Sequence, residues 1–560
     1  MAASPTADAG GSGRSVTHDR PGANRSRLPG LSERGYCPRA ARAMSLSMAS
    51  KRQILIVGGG TAGWLTAAYL AKSLGAAVGI TLLESPEIGT VGVGEGTFPT
   101  IRDTLRFLGI DEATFVRDAG ATFKQGVRFK DWLHPPEGNR RHSYFHPFEP
   151  PFQGDFATLV PYWLLEDEAS RPPFAEAMTI QNRVAAAGRA PKQAGEGDFA
   201  GPLNYAYHFD AIRVARVLAD RARQLGVLHL SGRVKSVVLD AEGAIEGLET
   251  EAGWQTADLF VDCTGFRAEL IGRALGSGFH SVSNQLFTDR ALTCKLPYER
   301  PDAPIESATI ATAHEAGWIW DIGLADARGI GCVYSSRHMD DDRAAEILAG
   351  YVGAGFDISP RSLHFAPGWR ERQWIKNCVA VGLAGGFLEP LESTGVVLIE
   401  AAAGMIAELF PHHGPIELPA RRFNELMTAR YTRIVDFLKL HYCLSQRPEP
   451  FWRDNADSST IPETLRDLLH QWRYRPPSRF DFALDVETFA FFNYQYILYG
   501  MDYRTRLLDG SADLPNVGEA QRQFARIKAF SDHAARDLPA HRMLVEQFAG
   551  VVPSRARKGS

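Results

Sequence analysis

Two ionisable residues stand in settings that could give them chemistry. Lys124 lies within Phe123-Lys124-Gln125-Gly126-Val127-Arg128-Phe129, and Glu392 within Pro390-Leu391-Glu392-Ser393-Thr394-Gly395. Read as one strand, the first segment buries Phe123, Val127 and Phe129 on one face and sets Lys124, Gly126 and Arg128 on the other. Gly126 then leaves open space on the lysine side. A lysine in such a place is by residue type a solvated surface charge, whereas a desolvated one is a nucleophilic amine. Glu392 precedes an apolar, Ala-rich helix expected over residues 396–410, with Ser393 or Thr394 as its N-cap. The free N–H groups of Thr394, Gly395 and Val396 then point at an anion, with Glu392 beside it. Equally, Glu389 and Glu392 fit as acids complementing the helix dipole, and spacing does not choose between the two readings.

The elements that must position these residues begin at residues 53–57, Gln-Ile-Leu-Ile-Val, an apolar run that reads as a buried parallel strand. Gly58, Gly60 and Gly63 follow as G-x-G-x-x-G, enclosing Thr61 and Ala62, and a helix is expected over residues 64–74. The next strand, residues 79–83, ends at Glu84. Gly58 permits the tight turn, Gly60 the approach of a pyrophosphate, and Gly63 close helix packing, with Glu84 where a ribose hydroxyl is bound. A dinucleotide site follows. Further strands are expected around residues 234–248, 259–265 and 378–381, and a helix over 210–225. This order resembles the FAD-dependent enzymes of the aromatic-hydroxylase type, and by that resemblance Val234 opens the strand that touches adenine. Residues 317–323, Gly-Trp-Ile-Trp-Asp-Ile-Gly, alternate so that Trp318, Trp320 and Ile322 share one face. Such a wall is more often core than function.

Taken together, these motifs resemble the flavin-dependent halogenases, the family of tryptophan halogenases, over residues 51 to about 400. Trp318-x-Trp320-x-Ile322 is similar to the family signature, with Gly323 where the family has proline. The resemblance implies that Lys124 is the catalytic lysine and Glu392 the active-site glutamate. It implies halide on the amides of Thr394 and Gly395, and a flavin strap at Gly92, Gly94 and Glu95. Leu383 and Val396 would flank the isoalloxazine, His146 and Phe148 would line the substrate pocket, and Trp318 and Trp320 would form a barrier between substrate and flavin. The implied reaction takes FAD as FADH2 from a separate NAD(P)H-dependent reductase. Flavin hydroperoxide and halide (chloride or bromide) form hypohalous acid, which Lys124 delivers to a small aromatic substrate such as tryptophan or another indole. Two other readings stay open: an FAD-dependent aromatic monooxygenase, and a flavin- or ligand-binding protein without catalysis.

The implied fold is α/β, a Rossmann-type FAD-binding module of the aromatic-hydroxylase and halogenase kind, interleaved with a largely helical substrate module. Residues 1–50 are arginine-rich, lysine-free and poor in acids, and read as a disordered or non-native extension. The FAD module is expected over 51–402, with an irregular, pocket-covering insertion over 132–200, and the helical module over 403–560. In that last part the aromatic runs Phe451-Trp452 and 489–494 suit helix packing as well as a stacked ligand. The 560 residues carry a net charge of −4, which provides no basic field for nucleic acid. No uncharged apolar stretch reaches a membrane span. The six cysteines are scattered without a CxxC pair, so no metal motif or disulfide framework is indicated and a reduced cytoplasmic compartment is expected. A homodimer is left open.

Overall fold

The computed structural model describes residues 51–87, 94–152, 158–353, 359–483, 487–507 and 514–550; the extension 1–50 and Gly92 lie outside the described residues. The described residues from 51 to 550 form one compact unit. Its first layer is a six-stranded sheet in the order Trp374–Ile375, Cys378–Ala380, Leu259–Asp262, Arg52–Val57, Val78–Glu84 and Leu228–Ser231. All pairs are parallel except the short edge strand Trp374–Ile375. The near-continuous apolar run at residues 54–57 is what a strand covered on both faces requires. The helix Thr61–Leu74 packs between Ala211–Gln224 and Thr394–Leu409, which explains why ten of its residues are buried.

A second, seven-stranded sheet runs Arg361–His364, Arg290–Pro297, Ala327–Tyr334, Gly317–Gly323, Thr309–His314, Gly126–Lys130 and Ser143–Pro147. Its strands are antiparallel neighbours except Thr309–His314 against Gly126–Lys130. A three-stranded sheet joins Gly94–Gly96, Ala206–Asp210 and Thr122–Lys124. The segment around Lys124 is therefore two strands in two sheets and not one. Gln125 is the break, its N–H donating to the Ser307 carbonyl at 2.7 Å. Helices dominate the later chain: Glu417–Cys443, Glu463–Trp472, Phe491–Gly500, Val517–Asp537 and His541–Phe548. The aromatic run at 489–494 enters the third of these. The insertion contains the strand Ser143–Pro147 and three short helices within 160–186.

A buried ion pair fastens that insertion to the body. Lys192 Nζ lies 2.7 Å from Glu112 Oε2, and both side chains are fully buried. Glu112 also accepts from Tyr205 Oη at 2.7 Å, Tyr207 Oη at 2.5 Å and the Phe199 N–H at 2.9 Å. Glu112 opens the helix Glu112–Ala119 that leads into the Lys124 strand. Removing one partner strands the other charge in the core. Lys192→Met is expected to lower unfolding stability by about 3–5 kcal/mol, read from urea unfolding curves; a loss of only a few tenths would show that the pair carries no weight.

Candidate functional site

The G-x-G-x-x-G turn closes as its composition requires. A Cβ on Gly58 would lie 2.2 Å from the Cys263 carbonyl oxygen, so only glycine lets the two strand ends approach. The helix Thr61–Leu74 starts with no side-chain cap and no acid in its first turn. Thr61 Oγ1 is buried there without a partner. This helix end faces a cavity of about 620 Å³ whose wall includes Gly58, Gly60, Thr61, Ala62, Glu84, Gly94, Glu95, Val234, Leu383, Thr394, Gly395 and Val396. Gly63 lies inside the helix, buried. An uncapped helix terminus, an orphaned hydroxyl and a cleft running from Glu84 to Val396 fit a dinucleotide with its phosphates at the glycine turn. Burial, with Asp210 adding, raises the Glu95 carboxyl to about 7.

The same cavity reaches Trp318, Trp320, Glu392 and Ser393, but Lys124, His146 and Phe148 are not in its wall. They lie behind it, buried. Lys124 Nζ donates to Ser393 Oγ at 2.8 Å and sits 5.4 Å from the centre of the Phe148 ring. Phe98 packs between Phe148 and Phe489, at 6.0 and 5.2 Å, and Phe489 stacks on Phe437 at 3.8 Å. Burial lowers the Lys124 ammonium from 10.5 to about 8, the charge of Glu392 opposing the shift.

Glu392 is held by two imidazoles on one oxygen. His146 Nδ1 lies 2.7 Å and His441 Nε2 3.2 Å from Glu392 Oε1. The far ring nitrogens are also held, His146 Nε2 2.9 Å from Asn493 Oδ1 and His441 Nδ1 2.9 Å from the Phe437 carbonyl. Burial alone would raise this carboxyl, but His146 and then His441 pull it well below the usual carboxylate range. Both Glu392 and Ser393 have left-handed backbone, φ 62° and φ 57°. Ser393 is thus the helix N-cap by position yet makes no capping bond. Its hydroxyl serves Lys124 instead.

Two expectations need correction. Lys124 and Arg128 do not share a face toward one cavity, because the chain breaks at Gln125 between sheets. Gly126 does not give Lys124 room: a Cβ there would lie 2.2 Å from the His146 carbonyl oxygen, so Gly126 admits the neighbouring strand. The room comes from Gly96, whose added Cβ would stand 2.5 Å from Ser393 Oγ and 3.1 Å from Lys124 Nζ. Gly323, which departs from the family proline, is crowded by neighbours: its added Cβ would meet Ile305 Cγ2 at 2.8 Å. Sequence reasoning missed His441, Phe98 and Phe437; Phe489 and Asn493 lie in the aromatic run 489–494, which composition left between helix packing and a stacked ligand. A histidine four residues after Phe437, the spacing of one helix face, was the available signal for His441.

A family model described as Tryptophan halogenase matches residues 53–515. Tryptophan 6-halogenase SttH of Streptomyces toxytricini is 33% identical, covering 89% of this chain and 98% of that protein. The crystal structure of a tryptophan halogenase from Shewanella frigidimarina matches with a TM-score of 0.85 at 39% identity, over 89% of this chain and 98% of the other. A flavin-dependent halogenase from Xanthomonas campestris matches with a TM-score of 0.80 at 35% identity, over 89% and 98%.

The lysine gives a signed pH effect. Between about 8 and 10.5 the unfolded chain keeps a proton on Lys124 that the folded chain has shed, so stability rises with pH across that window. Below it, the full cost of burying the ammonium is present. Measured against Lys124→Met, the wild type is expected to gain about 3 kcal/mol from the lower to the upper edge of the window. Urea unfolding at stepped pH tests this, and equal pH slopes in the two proteins would remove the assignment of a depressed lysine.

Proposed function

The chain belongs to the tryptophan halogenase family, and from that premise we propose that its Lys124 hands halogen to the ring of a free aromatic substrate such as tryptophan or another indole. The reaction is flavin-dependent halogenation. FAD in the Gly58–Val396 cavity, reduced by a separate reductase, supplies with oxygen the oxidising power that turns chloride or bromide into hypohalous acid. The observation that carries the role of Lys124 is its position: buried, hydrogen-bonded to Ser393, and behind the residues that close the flavin cavity.

Halide is held at the amides of Thr394 and Gly395, where the helix starts without a side-chain cap and without an acid in its first turn. An added Cβ on Gly395 would meet nothing within 4 Å, which leaves space for an ion. Trp318 and Trp320, ring centres 6.3 Å apart and both buried, keep the organic substrate off the flavin. Hypohalous acid then reaches Lys124. With the ammonium lowered to about 8, about one lysine in ten is the neutral amine at neutral pH. That amine takes the halogen and releases water, or holds the acid by an N–H while the ring attacks. Either way one carbon–halogen bond forms and one ring proton leaves. A carboxylate held as low as Glu392 is a weak base, so its contribution is electrostatic: it stabilises the positive charge that develops on the ring. His146 fixes the carboxylate and, with Phe148, walls the ring's position.

The test is turnover of tryptophan with FAD, an NADH-dependent flavin reductase and halide, read by mass spectrometry. Gain of a halogen is expected; gain of an oxygen would make the protein a monooxygenase, and no halide-dependent turnover of any indole would leave a binding protein. Lys124→Met is expected to lower kcat/KM by about 10²–10⁴ with FAD binding unchanged. Undiminished product from that variant would sink the role of Lys124.

A further inference from the structure

The strands Gly126–Lys130 and Ser143–Pro147 have a second side. There a cavity of about 520 Å³ lies between this hairpin, the insertion and the helix Phe491–Gly500, sharing no wall residue with the flavin cavity. Its volume is that of a small-molecule site. Trp163, Phe174 and Tyr499 form an aromatic corner, with ring centres 4.8–5.3 Å apart.

The charges on this wall are unbalanced, three arginines (Arg128, Arg171 and Arg504) standing against two carboxylates (Glu168 and Asp502). Arg128 stacks over Phe145 at 4.7 Å, and its one side-chain hydrogen bond is from Nη2 to Asn182 Oδ1 at 3.1 Å. Arg171 stacks over Trp163 at 4.0 Å. Among the described residues neither guanidinium has a carboxylate oxygen within 4 Å, whereas Arg504 on the same wall is 3.7 Å from Glu168. Burial lowers the Arg128 guanidinium, and Glu306 offsets this only from a distance. A desolvated guanidinium with most of its N–H fork unused is a carboxylate site waiting for its anion. The adjacent aromatic corner asks for a ring on the same molecule.

We propose that this cavity binds an aromatic carboxylate, its carboxylate on Arg128 and its ring among Trp163, Phe174 and Tyr499. The site backs directly onto the candidate catalytic residues without belonging to them. Phe145 faces it from between Tyr144 and His146, and the helix that contributes Tyr499 also contributes Asn493, the partner of His146. An occupant therefore braces the two elements that hold His146 in position.

The probe is 4-bromobenzoate, titrated calorimetrically into the FAD-loaded full chain and located in crystals by the anomalous signal of bromine. Saturable binding in solution and a bromine peak at the aromatic corner are expected. Arg128→Met is expected to weaken binding about tenfold or more. Asn182→Asp, which sets a carboxylate against the same guanidinium at nearly unchanged shape, is expected to weaken it comparably and covers the case in which the arginine variant does not fold. Lys124→Met is expected to leave this binding unchanged. No saturable binding at millimolar probe, full affinity in the folded variants, or a bromine peak beside Lys124 and His146 would each overturn the proposal.

Discussion

A lysine ammonium out of water next to an ionised carboxylate is the constraint around which the centre of this molecule is arranged. Lys124 is fully buried, and burial works against its charge. It keeps a hydrogen-bond acceptor only because Ser393 turns its hydroxyl away from capping its own helix. That turn needs two successive non-glycine residues in left-handed backbone, Glu392 and Ser393, each costing about 1–3 kcal/mol. The strain is over-determined by what surrounds it. The helix Thr394–Leu409 is packed on several sides, with Val396, Leu398, Ile399, Ala402, Ala403 and Ile406 buried. Gly96 on a neighbouring strand leaves the space into which Ser393 Oγ and Lys124 Nζ project.

The two sheets divide the labour. The parallel sheet ends in the glycine turn and sets the cavity proposed above for flavin. The seven-stranded sheet carries Trp318 and Trp320 on one strand and His146 two strands beyond its neighbour. Distances between these groups are fixed by ladder register, which a loop could not hold as well. The helix Glu417–Cys443 then contributes His441 and Phe437 from the other side, so the carboxylate is gripped between sheet and helix.

What was legible in the sequence was local. The glycine turn, its strands and Glu84 span about thirty residues and obey rules of nearest neighbours, and the helix after Glu392 announces itself by composition. The position of Lys124 was legible only through resemblance, because its burial depends on contacts far along the chain. The split of its segment into two sheets follows from Ser307 taking the Gln125 N–H and from the strand Ser143–Pro147 lying against Gly126. No periodicity in residues 123–129 contains that information. His441 was hidden for a related reason: its role exists only where the helix meets Glu392, and the two residues are 49 apart in sequence. Ser393 shows the converse failure, since its type and position suit a cap and the tertiary structure uses it otherwise.

Four carboxyl groups near the cavity, Glu95 half-buried and the other three buried, show that the negative charge is located by its partners and not by burial. Glu95, Glu389 and Glu400 are each raised to about 7, burial being the largest cause in every case. Glu389 is satisfied by the hydroxyls of Thr288 and Tyr442, and Glu400 by those of Thr100 and Thr104. Hydroxyls donate to a carboxylate and also accept from a carboxylic acid, so these sites tolerate the neutral form. Glu392 differs in having imidazoles, which can carry the compensating charge, and it alone of the four is lowered. Of the four, the carboxyl group held firmly in its ionised form is thus the one adjoining Ser393, the acceptor of Lys124. Under the proposed reaction, a cation forming on the substrate ring would meet that charge already in place, with no solvent reorganisation required.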